Sequence, residues 1–155
     1  MIIEKTILNL TDFNESLWHD NKIHAISFNE HKNELLFDID HIVKWVNKDK
    51  SYHFWVCPCT LAFQNARNFE LEMDNIGALT ITDVYREQAA NPEKIIPLPQ
   101  LIEYEWDLVC TGGEIWCRAT GFEQYLRKQP VLLKRQSLDL DTRGGISFAK
   151  QFLTI

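Results

Sequence analysis

A chain of 155 residues has the length of one ordinary domain, and its 45% hydrophobic content, with five Trp and nine Phe, supplies a core that a disordered segment lacks. The 22 acidic against 16 basic residues give a formal net charge of −6. That balance argues against nucleic acid and anionic membrane surfaces, whose phosphates call for clustered Lys and Arg. No run approaches the ~18 consecutive apolar residues of a membrane span. The opening residues Met1-Ile2-Ile3-Glu4-Lys5-Thr6 lack the basic region and apolar run of a secretory signal, so a cytoplasmic domain with reduced thiols is expected.

In chain order, Asp12-Phe13-Asn14-Glu15 has capping-box spacing and predicts a helix of one or two turns ending before Trp18, with Phe13 and Leu17 on one face. Residues 23–28 alternate as a strand. The polar turn of residues 29–33 then leads to Leu35, Phe37 and Ile39, which read as the second arm of a hairpin. Residues 39–46 fit either period; Trp45 and the β-branched Val43 and Val46 favour strand. Residues 52–63 form a strand in which Pro58 predicts a sheet edge or a bulge. Residues 69–73 and 79–84 are further strands, residues 85–90 are helical or irregular, and Pro92, Pro97 and Pro99 mark an irregular connection.

The hairpin around Gly112-Gly113 is the most detailed expectation. Taking the two glycines as a type I′ loop pairs Cys110 with Ile115, Leu108 with Cys117 and Trp106 with Ala119 on an apolar face. The other face carries Glu103, Glu105 and Asp107, with Asp107 opposite Arg118. Residues 121–127 extend that strand or begin another after Gly121, Pro130 stops it, and residues 131–133 are a last short strand. Ile146, Phe148, Phe152, Leu153 and Ile155 form an apolar tail expected to dock on the body. The chain is therefore read as a single domain over residues 1–155, mostly β (α+β). It holds about eight antiparallel strands in a bent sheet, sandwich or partial barrel, and one short N-terminal helix.

No motif identifies catalytic, cofactor-binding or metal-binding residues. Cys57-Pro58-Cys59 has one intervening residue, where zinc knuckles use two to four, so these thiols and Cys110 and Cys117 are read as buried and inert. Asp38, Asp40 and His41 are read as a solvated strand face, and Arg143-Gly144-Gly145 lacks the lysine of a phosphate loop. Partner contact falls to Trp18, His19 and Asp20, where an aromatic stands beside an imidazole and a carboxylate. The second candidate is the row Glu103, Glu105 and Asp107, where three acids face one arginine.

The run Leu17-Trp18-His19-Asp20-Asn21-Lys22-Ile23-His24-Ala25-Ile26-Ser27-Phe28, followed by Leu35-Leu36-Phe37-Asp38-Ile39-Asp40, resembles the start of several small bacterial β-rich domain families, in which a Trp-His-Asp turn leads into a hairpin. Some of these are uncharacterised, and others are immunity proteins of polymorphic toxin systems. The resemblance spans about the first quarter of the chain and implies no catalytic residues. The expectation is a non-enzymatic interaction domain of the immunity kind that neutralises a toxin or other basic protein. The alternative is a small-ligand-binding β-barrel or sandwich lined by aromatic rings. A hydrolase or metalloenzyme using His19, Asp20 or Asp38 ranks last.

Overall fold

The computed structural model describes residues 1–76, 79–90 and 101–153. Its strands, in chain order, are β1 (Ile7–Asn9), β2 (Lys22–Asn29), β3 (Glu34–Lys48), β4 (Ser51–Gln64), β5 (Arg67–Met73), β6 (Leu79–Gln88), β7 (Tyr104–Thr111), β8 (Gly113–Ala119), β9 (Gly121–Leu126) and β10 (Val131–Leu133). They form one antiparallel sheet in the order β1-β9-β4-β3-β2-β6-β7-β8-β5, with β10 paired to β4. The path ends at β1 and β5 and does not close into a barrel.

The sheet is bent at one corner. Only Thr120 separates β8 from β9, and only Asn65-Ala66 separates β4 from β5, so the β4·β9 pair runs on into the β5·β8 pair. The Thr120 N–H donates to Gln64 O at 3.0 Å across that corner. Folding the sheet back brings Phe63 of β4 and Phe122 of β9 to 5.1 and 6.0 Å from Trp106 of β7, ring to ring. Trp18 fills the space between them, 4.8 Å from Phe122. Edge-to-face packing of these rings dominates the core and adds about 0.5–1.5 kcal/mol per pair beyond area burial.

Several expectations are corrected in detail. The N-terminal helical turn lies at Leu10–Asp12, three residues early, because Asn9 rather than Asp12 is the cap. Its side chain accepts from Thr11 N–H while Asp12 accepts from Asn9 N–H at 2.9 Å. Residues 15–20 form turns instead, with Leu17 N–H on Asn14 O and His19 N–H on Ser16 O. β6 runs on to Gln88, since pairing from Tyr85↔Asp107 to Gln88↔Tyr104 overrides the weak local preference of residues 85–88. The irregular connection around Pro92 and Pro97 lies outside the described residues.

Pro58 does not make β4 an edge strand: β4 is flanked by β3 on one side and by β9 and β10 on the other. The Arg127 N–H donates to Pro58 O at 2.9 Å, so Pro58's backbone groups face the β9 side. There they meet the gap between the end of β9 and the start of β10, where the missing donor goes unused.

The Gly112 hairpin has the expected faces but a register two residues away. Leu108 pairs with Ile115, Trp106 with Cys117, Asp107 with Trp116 and Glu105 with Arg118. Gly112 alone has positive φ (77°) and the loop is Thr111-Gly112, the sign pattern of a type II rather than a type I′ turn. Gly113 is needed for a different reason. A Cβ there would lie 2.3 Å from Glu72 O on β5.

Candidate functional site

Directly paired residues share a face of a sheet, so the ladders of β5, β8, β7 and β6 assemble one outer surface. Glu70 pairs with Trp116, Glu72 with Glu114, Trp116 with Asp107, Asp107 with Tyr85, and Glu105 with both Arg118 and Glu87. This surface borders a groove of about 680 Å³, in which Trp116 and Tyr85 are flanked by Glu70, Glu87, Glu105 and Asp107. Two of the expected partner residues, Glu105 and Asp107, therefore stand in it.

The arginines near this groove are committed at one end. Arg67 grips Glu103 through Nε and Nη2, both at 2.8 Å, and Arg118 places Nη2 2.6 Å from Glu105 and Nη1 3.5 Å from Glu103. Arg86 turns its guanidinium over the Phe13 and Tyr104 rings, 4.6 and 4.5 Å from their centroids. Among the described residues Glu70, Glu72, Glu87, Asp107 and Glu114 make no ion pair. Glu72 and Glu114 oppose each other directly, a destabilising like-charge pair. A hydrogen bond to Asp107, burial and the Asp107 charge hold the Glu114 carboxyl above the usual carboxylate range. Asp107 Oδ1 is buried with no hydrogen-bond partner among the described residues. An aromatic floor with surplus negative charge suits an ammonium or guanidinium group, through ion pairing and cation–π attraction together.

The other expected partner residues are placed differently. Trp18 is fully buried and donates its indole N–H to Gln124 Oε1 at 2.6 Å, so it is a core ring and not a contact residue. Glu103 is buried beneath Arg67 and Arg118 and is likewise withdrawn from the surface row. His19 is exposed; its Nδ1–H donates to Thr82 O at 2.7 Å, and its ring stacks on Trp45 with centroids 6.2 Å apart. Asp20 lies 3.6 Å from His19 Nε2 and accepts from Gln136 Nε2. The residues that sequence reasoning missed are Glu70, Glu72, Tyr85, Glu87 and Trp116.

Asp38 and Asp40 are not a solvated face; both are fully buried under the segment after β10. That segment contains one helical turn, α1 (Leu140–Arg143), capped by Gly144 in the left-handed conformation (φ 80°). Arg143 reaches back from α1 and donates to both Asp38 oxygens (2.6 and 2.8 Å) and to Asp40 Oδ1 (3.0 Å). Arg127 and the Ser147 N–H complete Asp38, while His24 and the Leu138 N–H complete Asp40. Burial raises the Asp38 pKa, but Arg143, Ser147 N–H and Arg127 outweigh it and hold the carboxyl below its usual range. Every oxygen of the two carboxylates is thus occupied by side-chain or backbone donors of the protein itself. No hydrogen bond or ion pair among the described residues joins Asp38 to His19 or Asp20.

His41 is also buried, with Asn21 Nδ2 2.9 Å from Nδ1, and burial lowers its pKa to about 4. The four cysteines are free and buried; Cys57 and Cys59 bring their sulfurs to 3.6 Å, and burial pushes Cys110 and Cys117 up to about 12. Of the C-terminal tail, Phe152 packs on the core, whereas Ile146 and Leu153 are exposed. Ile155 lies outside the described residues. Among the described residues no cluster of three or more His, Cys, Asp or Glu is arranged to hold a metal ion, and no helix is long and apolar enough to cross a membrane.

The fold and groove define a mostly-β domain with an acidic, aromatic-bearing outer face. Comparison with protein-family models, curated proteins and solved structures finds no match to the chain.

Proposed function

We propose that the protein is a non-enzymatic interaction domain that receives a basic surface of a partner protein on the outer face of β5, β8, β7 and β6. One observation carries this reading: Trp116 and Tyr85 lie among carboxylates whose charge the nearby arginines do not balance. Such a surface steers a cationic partner and gives it an aromatic anchor once docked. The N-terminal Trp-His-Asp run and its hairpin add the immunity role, in which the partner is a basic toxin that the domain neutralises in the cytoplasm.

The test is capture of a basic protein from cells that also express the neighbouring gene products. The wild type is compared with Glu87→Lys/Asp107→Lys and with Lys48→Glu, a change at the exposed end of β3. The expected result is a cationic partner retained by the wild type and by Lys48→Glu, eluted by salt, and lost with the groove variant. Retention by the groove variant, or no partner under these conditions, overturns the proposal.

A further inference from the structure

Among the described residues β5 ends the sheet, pairs only with β8, and has no strand on its other side, next to the acidic groove. Backbone alternation fixes which of its groups face outward. The Asp74 N–H donates to Gly112 O at 2.8 Å, in register with the Glu72↔Glu114 and Glu70↔Trp116 pairs. Residues 70, 72 and 74 therefore turn their backbone towards β8, and Leu71 and Met73 turn theirs to the open edge. Neither has a backbone partner on that edge among the described residues. The register shift between Arg67 and Glu70 disturbs the first part of β5, which leaves Glu70 to Met73 as the regular stretch.

The side chains along this edge sort by face. Glu70 and Glu72 project to the carboxylate side, continuous with the groove. Leu71 pairs with the buried Ile115 and so lies on the inner side, yet it is 41% exposed. Phe28 of β2 is 63% exposed, and its ring lies 5.5 Å from that of Phe69, two residues before Leu71 on β5. An open edge with apolar side chains uncovered on one face and acids on the other is half of a strand pair.

We infer that β5 takes an added strand from the basic partner, an extended segment in which Lys or Arg alternates with apolar residues. Its basic side chains lie across from Glu70 and Glu72, and its apolar ones cover Leu71 and Phe28, while Leu71 and Met73 supply the main-chain hydrogen bonds. Charge selects this occupant over a second copy of the chain, because pairing β5 with itself sets glutamates against glutamates. The inference rests on the acidic face being the partner surface and specifies how that face is engaged.

The full-length protein is titrated with a synthetic peptide of alternating Lys and Val, and with a control of equal charge in which Pro replaces Val and so removes strand donors. The strand-forming peptide is expected to bind about tenfold or more tightly than the control and to slow amide exchange at Leu71 and Met73. Glu70→Lys/Glu72→Lys and Phe28→Ser change exposed side chains and are each expected to weaken it by about tenfold. Equal binding of both peptides with unchanged exchange at Leu71 and Met73 overturns strand addition. In that case sensitivity of both peptides to Glu87→Lys/Asp107→Lys leaves the groove reading standing. Failure of both peptides to bind overturns both.

Discussion

Replacing Arg143 with Ala tests the least expected part of the molecule, the charged cluster beneath the C-terminal segment. Arg143 supplies hydrogen bonds to both oxygens of Asp38 and to Asp40 Oδ1, and its side chain is wholly buried. Without it Asp40 Oδ1 loses its partner and Asp40 keeps only His24 and the Leu138 N–H, while Asp38 keeps Arg127 and the Ser147 N–H. Removing one member of a buried pair typically costs about 3–5 kcal/mol, because the charge left behind cannot return to water. Urea unfolding should register a loss of that size for Arg143→Ala. A smaller loss is expected for Arg143→Lys, whose single ammonium cannot span two carboxylates as the guanidinium fork does. The Leu153 N–H bond to Arg127 O and the Thr60 hydroxyl bond to Ala149 O should open with it, exposing residues 138–153 to proteolysis. A cost below about 1 kcal/mol, the value of a surface ion pair, would refute the burial argument.

Two further outcomes follow from single buried atoms. His41 has its pKa lowered to about 4 by burial, against an unfolded value near 6.5, so the native state binds fewer protons between those limits. Its contribution, about 3 kcal/mol, is full above pH 6.5 and is lost as pH falls to about 4; His41→Gln should flatten the stability profile in that window, and an unchanged slope would count against it. Gly113→Ala forces a methyl to 2.3 Å from Glu72 O and 2.9 Å from Leu79 Cδ2, so β5 or β8 must shift. A loss of about 1–3 kcal/mol is expected from thermal unfolding, and a neutral result would mean that the β5·β8 contact is looser than described.

The strand pattern was legible wherever alternation was strong and local. Residues 104–119 declare their faces because period-two burial repeats the sequence pattern, whereas residues 23–28 and 69–73 are strands, as their sequence alternation predicts, without alternating burial. The Gly112 hairpin shows how far such reading reaches. A two-residue register error leaves every side chain on its correct face, so sorting by face cannot detect it, and the turn has to decide. Two glycines invite a type I′ turn, but only Gly112 serves the turn. Gly113 is glycine because β5 passes close by, a contact made by residues about forty positions earlier.

The same limit separates the two acidic features. Glu105 and Asp107 were legible as surface because their neighbours in sequence alternate cleanly with core residues. Asp38 and Asp40 obey the same alternation, lying on the β3 face opposite Phe37 and Ile39, a face that alternation alone predicts to be solvated. What buries it is Arg143, more than a hundred residues later and delivered by a single helical turn. Period-two patterning gives the side of the sheet, whereas burial on that side depends on whether another segment covers it. The acidic groove is the face that no described segment covers, and it is there, not at Asp38, that uncompensated charge is available to a partner.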